Sequence, residues 1–137
     1  MAQAQVIALD TNVVVRLVTA DEPAQLAAAR RVMSSGPIYL TKSVLLETEW
    51  VLRYSYELRR EVIGMVLRKL IGARNLEVED LEAVVAALAW HHRGMDFADA
   101  LHLASSHGAS RFATFDRSLA AAAAALECLP RVELLTN

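Results

Sequence analysis

Short apolar runs that stop at an acidic residue and give way to a helical pattern limit most strongly how this chain can fold. The first is Gln5-Val-Ile-Ala-Leu9, which runs into Asp10-Thr-Asn12. A run of this kind ending at a polar tip reads as a buried strand of a parallel sheet, because such strands are covered on both faces and lose the alternation of half-exposed ones. The β-branched Val13–Thr19 could extend the strand, but the polar break and Arg16 favour a helix that starts at the tip. Asp21 then reads as an N-cap, with Glu22 and Pro23 in the first turn of a helix that continues through Leu26, Arg30 and Met33 to Gly36-Pro37. Ile38–Leu40 is a second strand, and Thr41-Lys-Ser43 caps a helix from Val44 to about Tyr56. A further helix is expected from Arg60 to Ile71, a strand over Leu76–Val78, and helices over Asp80–His92 and Asp96–His107. Arg111–Phe115 is a strand ending at Asp116, Ser118–Leu126 an alanine-rich helix, and Val132–Leu135 a last strand. Strands alternating with helices predict an α/β fold with a central, mostly parallel sheet flanked by helices on both faces.

Composition narrows the class. With 137 residues, 55% of them hydrophobic, the chain is expected to form one domain over 1–137 with a self-sufficient core. The single cysteine, Cys128, excludes an internal disulfide and a cysteine zinc site, which suits a reducing cytoplasm. No apolar run reaches the ~20 residues of a bilayer span, and the opening Met-Ala-Gln-Ala-Gln lacks signal-peptide features, so no membrane role is expected. The net charge of −2 hides an asymmetry: residues 11–74 carry ten Lys or Arg against six Asp or Glu, whereas residues 75–137 carry four against nine. That balance argues against a protein that coats nucleic acid, but not against an enzyme that handles it at one site.

Four acidic residues stand out. Asp10 and Asp116 each end a strand and begin a helix, where an α/β fold places its ligands; either is also an acceptable N-cap. Glu47 falls on a helical stripe with Val44, Val51 and Tyr54, and an acid there faces the interior or a cleft. Glu49, on the neighbouring stripe with Leu45, Leu52 and Tyr56, competes with it; pairing with Lys42 or Arg53 on a solvated face is the simpler account. Asp96 and Asp99 begin a helix, where capping and the helix dipole explain both, yet Asp99 also borders the apolar face of Ala100, Leu101, Leu103 and Ala104. Should Asp10, Glu47, Asp99 and Asp116 converge, their mutual repulsion calls for a divalent cation. Oxygen-only ligation favours Mg²⁺ or Mn²⁺ over zinc, and such ions hydrolyse phosphodiesters.

At these positions the chain resembles the PIN-domain ribonucleases, and among them the VapC-type toxins of toxin–antitoxin pairs. The resemblance rests on Ile-Ala-Leu-Asp10-Thr11-Asn12-Val-Val-Val-Arg16-Leu, Ser43-Val-Leu-Leu-Glu47-Thr-Glu-Trp50-Val-Leu52, Asp96-Phe-Ala-Asp99-Ala-Leu101 and Ala113-Thr114-Phe-Asp116-Arg117, four elements in order. It implies a PIN fold, metal-dependent endoribonuclease activity, and Asp10, Glu47, Asp99 and Asp116 as catalytic and metal-binding acids, selecting Glu47 over Glu49. It further implies RNA as substrate, a homodimer, and inhibition by a VapB-type antitoxin. Beyond Asp116 the chain has Ser118-Leu119 and alanines where many relatives carry another acid or an aromatic, which leaves Asp116 open between holding metal and orienting water. Asn12, Thr114 and Asp96 are candidates for orienting the carboxylates or water.

Other polar and aromatic residues have simpler accounts. Adjacent His91 and His92 point about 100° apart on a helix and do not grip one ion, so both are expected at the surface or helix end. His102 suits a pocket edge and His107 a helix C-terminus. Trp50, Tyr54 and Tyr56 are expected in the core or a dimer interface, with base stacking as the alternative. Rival readings are a housekeeping PIN nuclease, a haloacid-dehalogenase-like phosphatase and a non-catalytic α/β interaction module. The phosphatase needs a second Asp where the chain has Asn12, and the interaction module must treat all four acids as caps.

Overall fold

The computed structural model describes residues 5–137; the first four residues of the opening, read above as lacking signal-peptide features, lie outside them. In chain order the elements are β1 (Ile7–Ala8), α1 (Thr11–Thr19), α2 (Pro23–Ser34), β2 (Ile38–Leu40), α3 (Lys42–Tyr54) and α4 (Arg60–Ile71). They continue with β3 (Leu76–Val78), α5 (Leu81–His92), α6 (Phe97–Ala104), β4 (Arg111–Thr114), α7 (Arg117–Ala125) and β5 (Arg131–Leu134). Among the described residues no helix is long and apolar enough to cross a membrane. The chain divides into two compact units, the first ending at Glu79 and the second beginning at Asp80.

In the first unit the strands pair in parallel in the order β1-β2-β3, with Ile7 opposite Ile38 and Ile38 and Leu40 opposite Leu76 and Val78. Parallel neighbours need crossovers, and α1–α2 and α3–α4 supply them. Ile38 and Leu40 on the middle strand have no solvent exposure, and burying each is worth about 1.5–3 kcal/mol. β1 ends the order: Ile7 is half-buried and Ala8 exposed, so the first strand is less covered than its apolar run implied. Helix α1 begins where Asp10 accepts the Thr11 N–H at 2.8 Å, and it buries Val14 and Val15. It stops at Ala20, which closes the helix in the left-handed conformation (φ 54°, ψ 28°) by donating its N–H to the Arg16 carbonyl at 3.0 Å.

Helix α2 starts one residue later than its sequence suggested. Glu22, not Asp21, is the N-cap and accepts the Ala24 N–H at 3.1 Å, with Pro23 at the first helical position where its missing N–H costs nothing. Thr41 caps α3 by accepting the Val44 N–H at 3.2 Å, and α3 buries Leu45, Thr48, Glu49 and Leu52. Ile63, Gly64, Leu67 and Leu70 form the buried stripe of α4 at helical spacing.

In the second unit β4 and β5 pair in parallel, Phe112 opposite Val132 and Thr114 opposite Leu134, with α7 as their crossover. The alanine run is the regular helix α7, which buries Leu119 and Ala123. Helices α5 and α6 pack on each other; α5 buries Ala83, Val84, Ala87 and Leu88, and α6 buries Phe97, Ala100, Leu101 and Leu103. Parallel strands joined by helices throughout both units give the α/β, PIN-like fold class.

Candidate active site

In the first unit, the tip of β1 and the outward stripe of α3 open onto the same space. Asp10 and Asn12, from the start of α1, and Glu47, from α3, line a cleft of about 550 Å³ together with Arg16, Ser55 and Tyr56. Both carboxylates are exposed. The reason lies in α3's two stripes: Leu45, Thr48, Glu49 and Leu52 turn into the protein, which leaves Val44, Glu47, Val51 and Tyr54 on the more open side. Glu47 thus faces a cleft, as its spacing allowed. Glu49 is buried rather than solvated: only 3% exposed, it pairs with Arg53 Nε at 3.0 Å.

A polar network that the sequence did not disclose holds two of the residues that line this cleft, Arg16 and Tyr56. Arg16 donates through Nη1 to the Tyr56 hydroxyl at 2.9 Å and to Asp21 Oδ1 at 3.0 Å, and through Nε to Gln25. Tyr56 donates in turn to Asp21 Oδ2 at 2.8 Å, and the Thr19 hydroxyl donates to Asp21 Oδ1 at 2.8 Å. Tyr56 and then Thr19 hold the Asp21 carboxyl below the ordinary aspartate range. The bond from Tyr56 likewise holds the Arg16 guanidinium above its ordinary value. The signal in the sequence was an Asp at the α1–α2 junction that is not needed as a cap once Glu22 takes that role.

In the second unit three aspartates gather around the start of α6. Asp96 caps the helix by accepting the Asp99 N–H at 3.1 Å, and Asp99 is half-buried in its first turn. Burial, then the charges of Asp96 and Asp116, push the Asp99 carboxyl above its ordinary value. Asp116 is exposed and caps α7, accepting the Leu119 N–H at 3.1 Å. Thr114 accepts the Asp116 N–H at 3.0 Å, which fixes the backbone that carries this acid.

His91 is not at the surface: it is 3% exposed and meets the Phe97 ring edge-on at 5.8 Å, whereas His92 and His102 are exposed. His107 lies beyond α6, with Nε2 at 3.2 Å from Asp80 Oδ2. Trp50 and Tyr54 are not core residues; both are more than half exposed, with ring centroids 5.0 Å apart and the Arg53 guanidinium 4.7 Å from the Tyr54 centroid.

Among the described residues, no three Asp, Glu, His or Cys side chains stand together as a ready-made metal cage. A hydrated Mg²⁺ asks for less, since it keeps several waters and needs one or two carboxylates, and the Asp10–Glu47 cleft offers two hard oxygen donors with no thiol or imidazole. The donor chemistry therefore fits Mg²⁺ or Mn²⁺.

Carboxylates at strand tips and helix starts of a parallel α/β protein sit where such folds bind their ligands. The sequence matches the PIN domain over residues 7–125, and the chain belongs to the PIN-domain family. PIN domains are generally metal-dependent nucleases, which places the chain among the hydrolases. No curated protein sequence matches it.

Proposed function

We propose that this chain is a Mg²⁺- or Mn²⁺-dependent endoribonuclease and the toxin of a VapBC-type pair, hydrolysing RNA phosphodiester bonds through Asp10, Glu47, Asp99 and Asp116. The observation that carries the reading is the cleft on which Asp10 and Glu47, distant in sequence, both open beside a guanidinium. When bound, a divalent ion supplies Lewis acidity and offsets charge that develops at the phosphodiester. The chain's own groups hold and orient. Asp10 and Glu47 supply oxygen ligands, and the Thr11 N–H fixes the rotamer of Asp10 by bonding one of its oxygens. Asp99, whose charged form is disfavoured by burial and by Asp96 and Asp116, gains more from a neighbouring cation than an ordinary aspartate does. Thr114 and Asp96 position backbone rather than touch the reacting atoms, and Asn12 lines the cleft as an amide that orients water.

In this reading the protein works in the cytoplasm as a homodimer, and a VapB-type antitoxin silences it. Purified chain should cleave RNA with Mg²⁺ or Mn²⁺ and stop on chelation, and Asp10→Asn and Asp99→Asn should each lower the rate by at least about 100-fold. A chain that leaves RNA intact with either ion would end the nuclease reading. Expression of the wild-type chain alone should arrest growth, and co-expression of the neighbouring small gene should relieve the arrest. Normal growth with soluble, RNA-cleaving protein would instead identify a housekeeping PIN nuclease.

A further inference from the structure

The acidic cleft has an electrostatic difficulty: its two carboxylates repel the polyanion they are meant to process. Arg16, which lines the same wall, answers it. Resting on the nuclease reading above, we propose that Arg16 is the residue of this cleft that grips a substrate phosphate, and that Tyr56 and Asp21 are its positioning residues.

The geometry separates Arg16 from the solvated arginines of the chain. Its guanidinium is oriented by three acceptors: Tyr56 at 2.9 Å and Asp21 at 3.0 Å on Nη1, and Gln25 on Nε. Tyr56 and Asp21 are themselves joined at 2.8 Å, so the plane of the guanidinium is held by a closed triangle instead of one flexible ion pair. Among the described residues no hydrogen bond uses Nη2, which leaves that edge to donate to a phosphate oxygen. A guanidinium suits this task because its planar fork is fixed in advance and stays charged at any working pH. The Asp21 carboxylate offsets part of the Arg16 charge, but it engages Nη1 alone and shares its negative charge with the Tyr56 and Thr19 hydroxyls, so the Nη2 edge keeps its donors. The bland alternative is that Arg16 only fastens α1 to the start of α2 and the end of α3. A fastener changes stability; a phosphate grip changes substrate affinity and its salt dependence.

The test uses the full chain and a short single-stranded RNA of random sequence, labelled with fluorescein. Initial rates with Mn²⁺ give kcat and KM, and anisotropy in chelator gives binding across a salt series. Arg16→Gln should raise KM by about 10- to 100-fold with kcat far less affected, the loss expected for one charge-assisted contact. It should also flatten the slope of log affinity against log salt by about 0.7, one phosphate's share for a single strand. Arg16→Lys should restore the salt slope but only part of KM, and Tyr56→Phe should raise KM with the slope unchanged. Wild-type KM and slope in Arg16→Gln, with a lowered melting temperature, would make Arg16 a fastener and overturn the inference while leaving the nuclease reading intact. A wild-type chain that neither binds nor cleaves the RNA would sink that reading and the inference with it.

Discussion

Glu47 and Glu49 lie two residues apart on α3 and meet opposite surroundings: Glu47 opens onto the cleft, whereas the Glu49 carboxylate is buried 3.0 Å from Arg53 Nε. The two glutamates should therefore fail in different ways. Glu47→Gln is expected to reduce RNA cleavage with a melting temperature near that of the wild type. Glu49→Gln weakens a largely buried ion pair, softened by the partial exposure of Arg53, and should cost about 1–3 kcal/mol, or roughly 3–10 °C. Thermal melts and cleavage rates on both variants check this. The reverse pattern would transfer the functional role to Glu49.

Asp99 carries a penalty in the absence of metal. Its carboxyl sits above the ordinary aspartate value because of burial and the charges of Asp96 and Asp116. Between the ordinary value and the raised one the folded chain holds more protons than the unfolded chain, so stability falls as pH rises through that interval and stays lowered at neutral pH. Asp99→Asn removes the penalty. In chelator at neutral pH the variant should melt higher than the wild type, by no more than about 3 °C because solvent screens a half-exposed group. The gain should vanish below about pH 4, where the wild-type carboxyl is protonated in both states. A variant that melts lower at neutral pH would show that Asp99 holds the fold together instead.

Asp21 should behave in the opposite sense. Tyr56 and Thr19 hold its carboxyl below the ordinary range, so its contribution to stability is present above the ordinary aspartate value and lost as pH falls through the lowered one. Tyr56→Phe removes the larger of the two bonds. The difference between wild-type and variant urea midpoints is expected to be constant above about pH 5 and to shrink as pH approaches about 3. A difference that persists unchanged into acid would mean that Tyr56 contributes by packing alone.

What sequence could and could not disclose follows from the range of the interactions involved. Helix starts governed by one side chain and a nearby N–H, as at Asp10, Thr41, Asp96 and Asp116, are local and could be read directly. Where two local solutions compete, as between Asp21 and Glu22, the choice was made by a partner from α1 and another from beyond α3. Helical spacing gave α3 two stripes, but which one turns inward depends on what packs against it, and so the burial of Glu49 and the exposure of Trp50 were not readable. His91 does lie in the last turn of α5, but its burial was not readable for the same reason: a polar residue at a helix end looks solvated until an aromatic such as Phe97 is packed against it. The Arg16–Tyr56–Asp21 triangle joins three separate segments, and no periodicity or spacing rule reaches that far.

Cation binding offers a test of the Asp10–Glu47 cleft that needs no substrate. An ion that binds the folded chain stabilises it by mass action, by about 2.7 kcal/mol at a concentration 100 times its Kd. For a chain of this size that is a rise of roughly 5–10 °C in melting temperature. Adding Mn²⁺ to chelator-treated wild-type protein should produce such a shift, and EDTA should reverse it. Because Asp10 and Glu47 supply oxygen donors on one cleft, Asp10→Asn and Glu47→Gln should each blunt the shift, while Glu49→Gln, already paired away from the cleft, should keep it on its lower baseline. A full Mn²⁺ shift in both Asp10→Asn and Glu47→Gln would place the ion elsewhere in the protein and remove this cleft as its site.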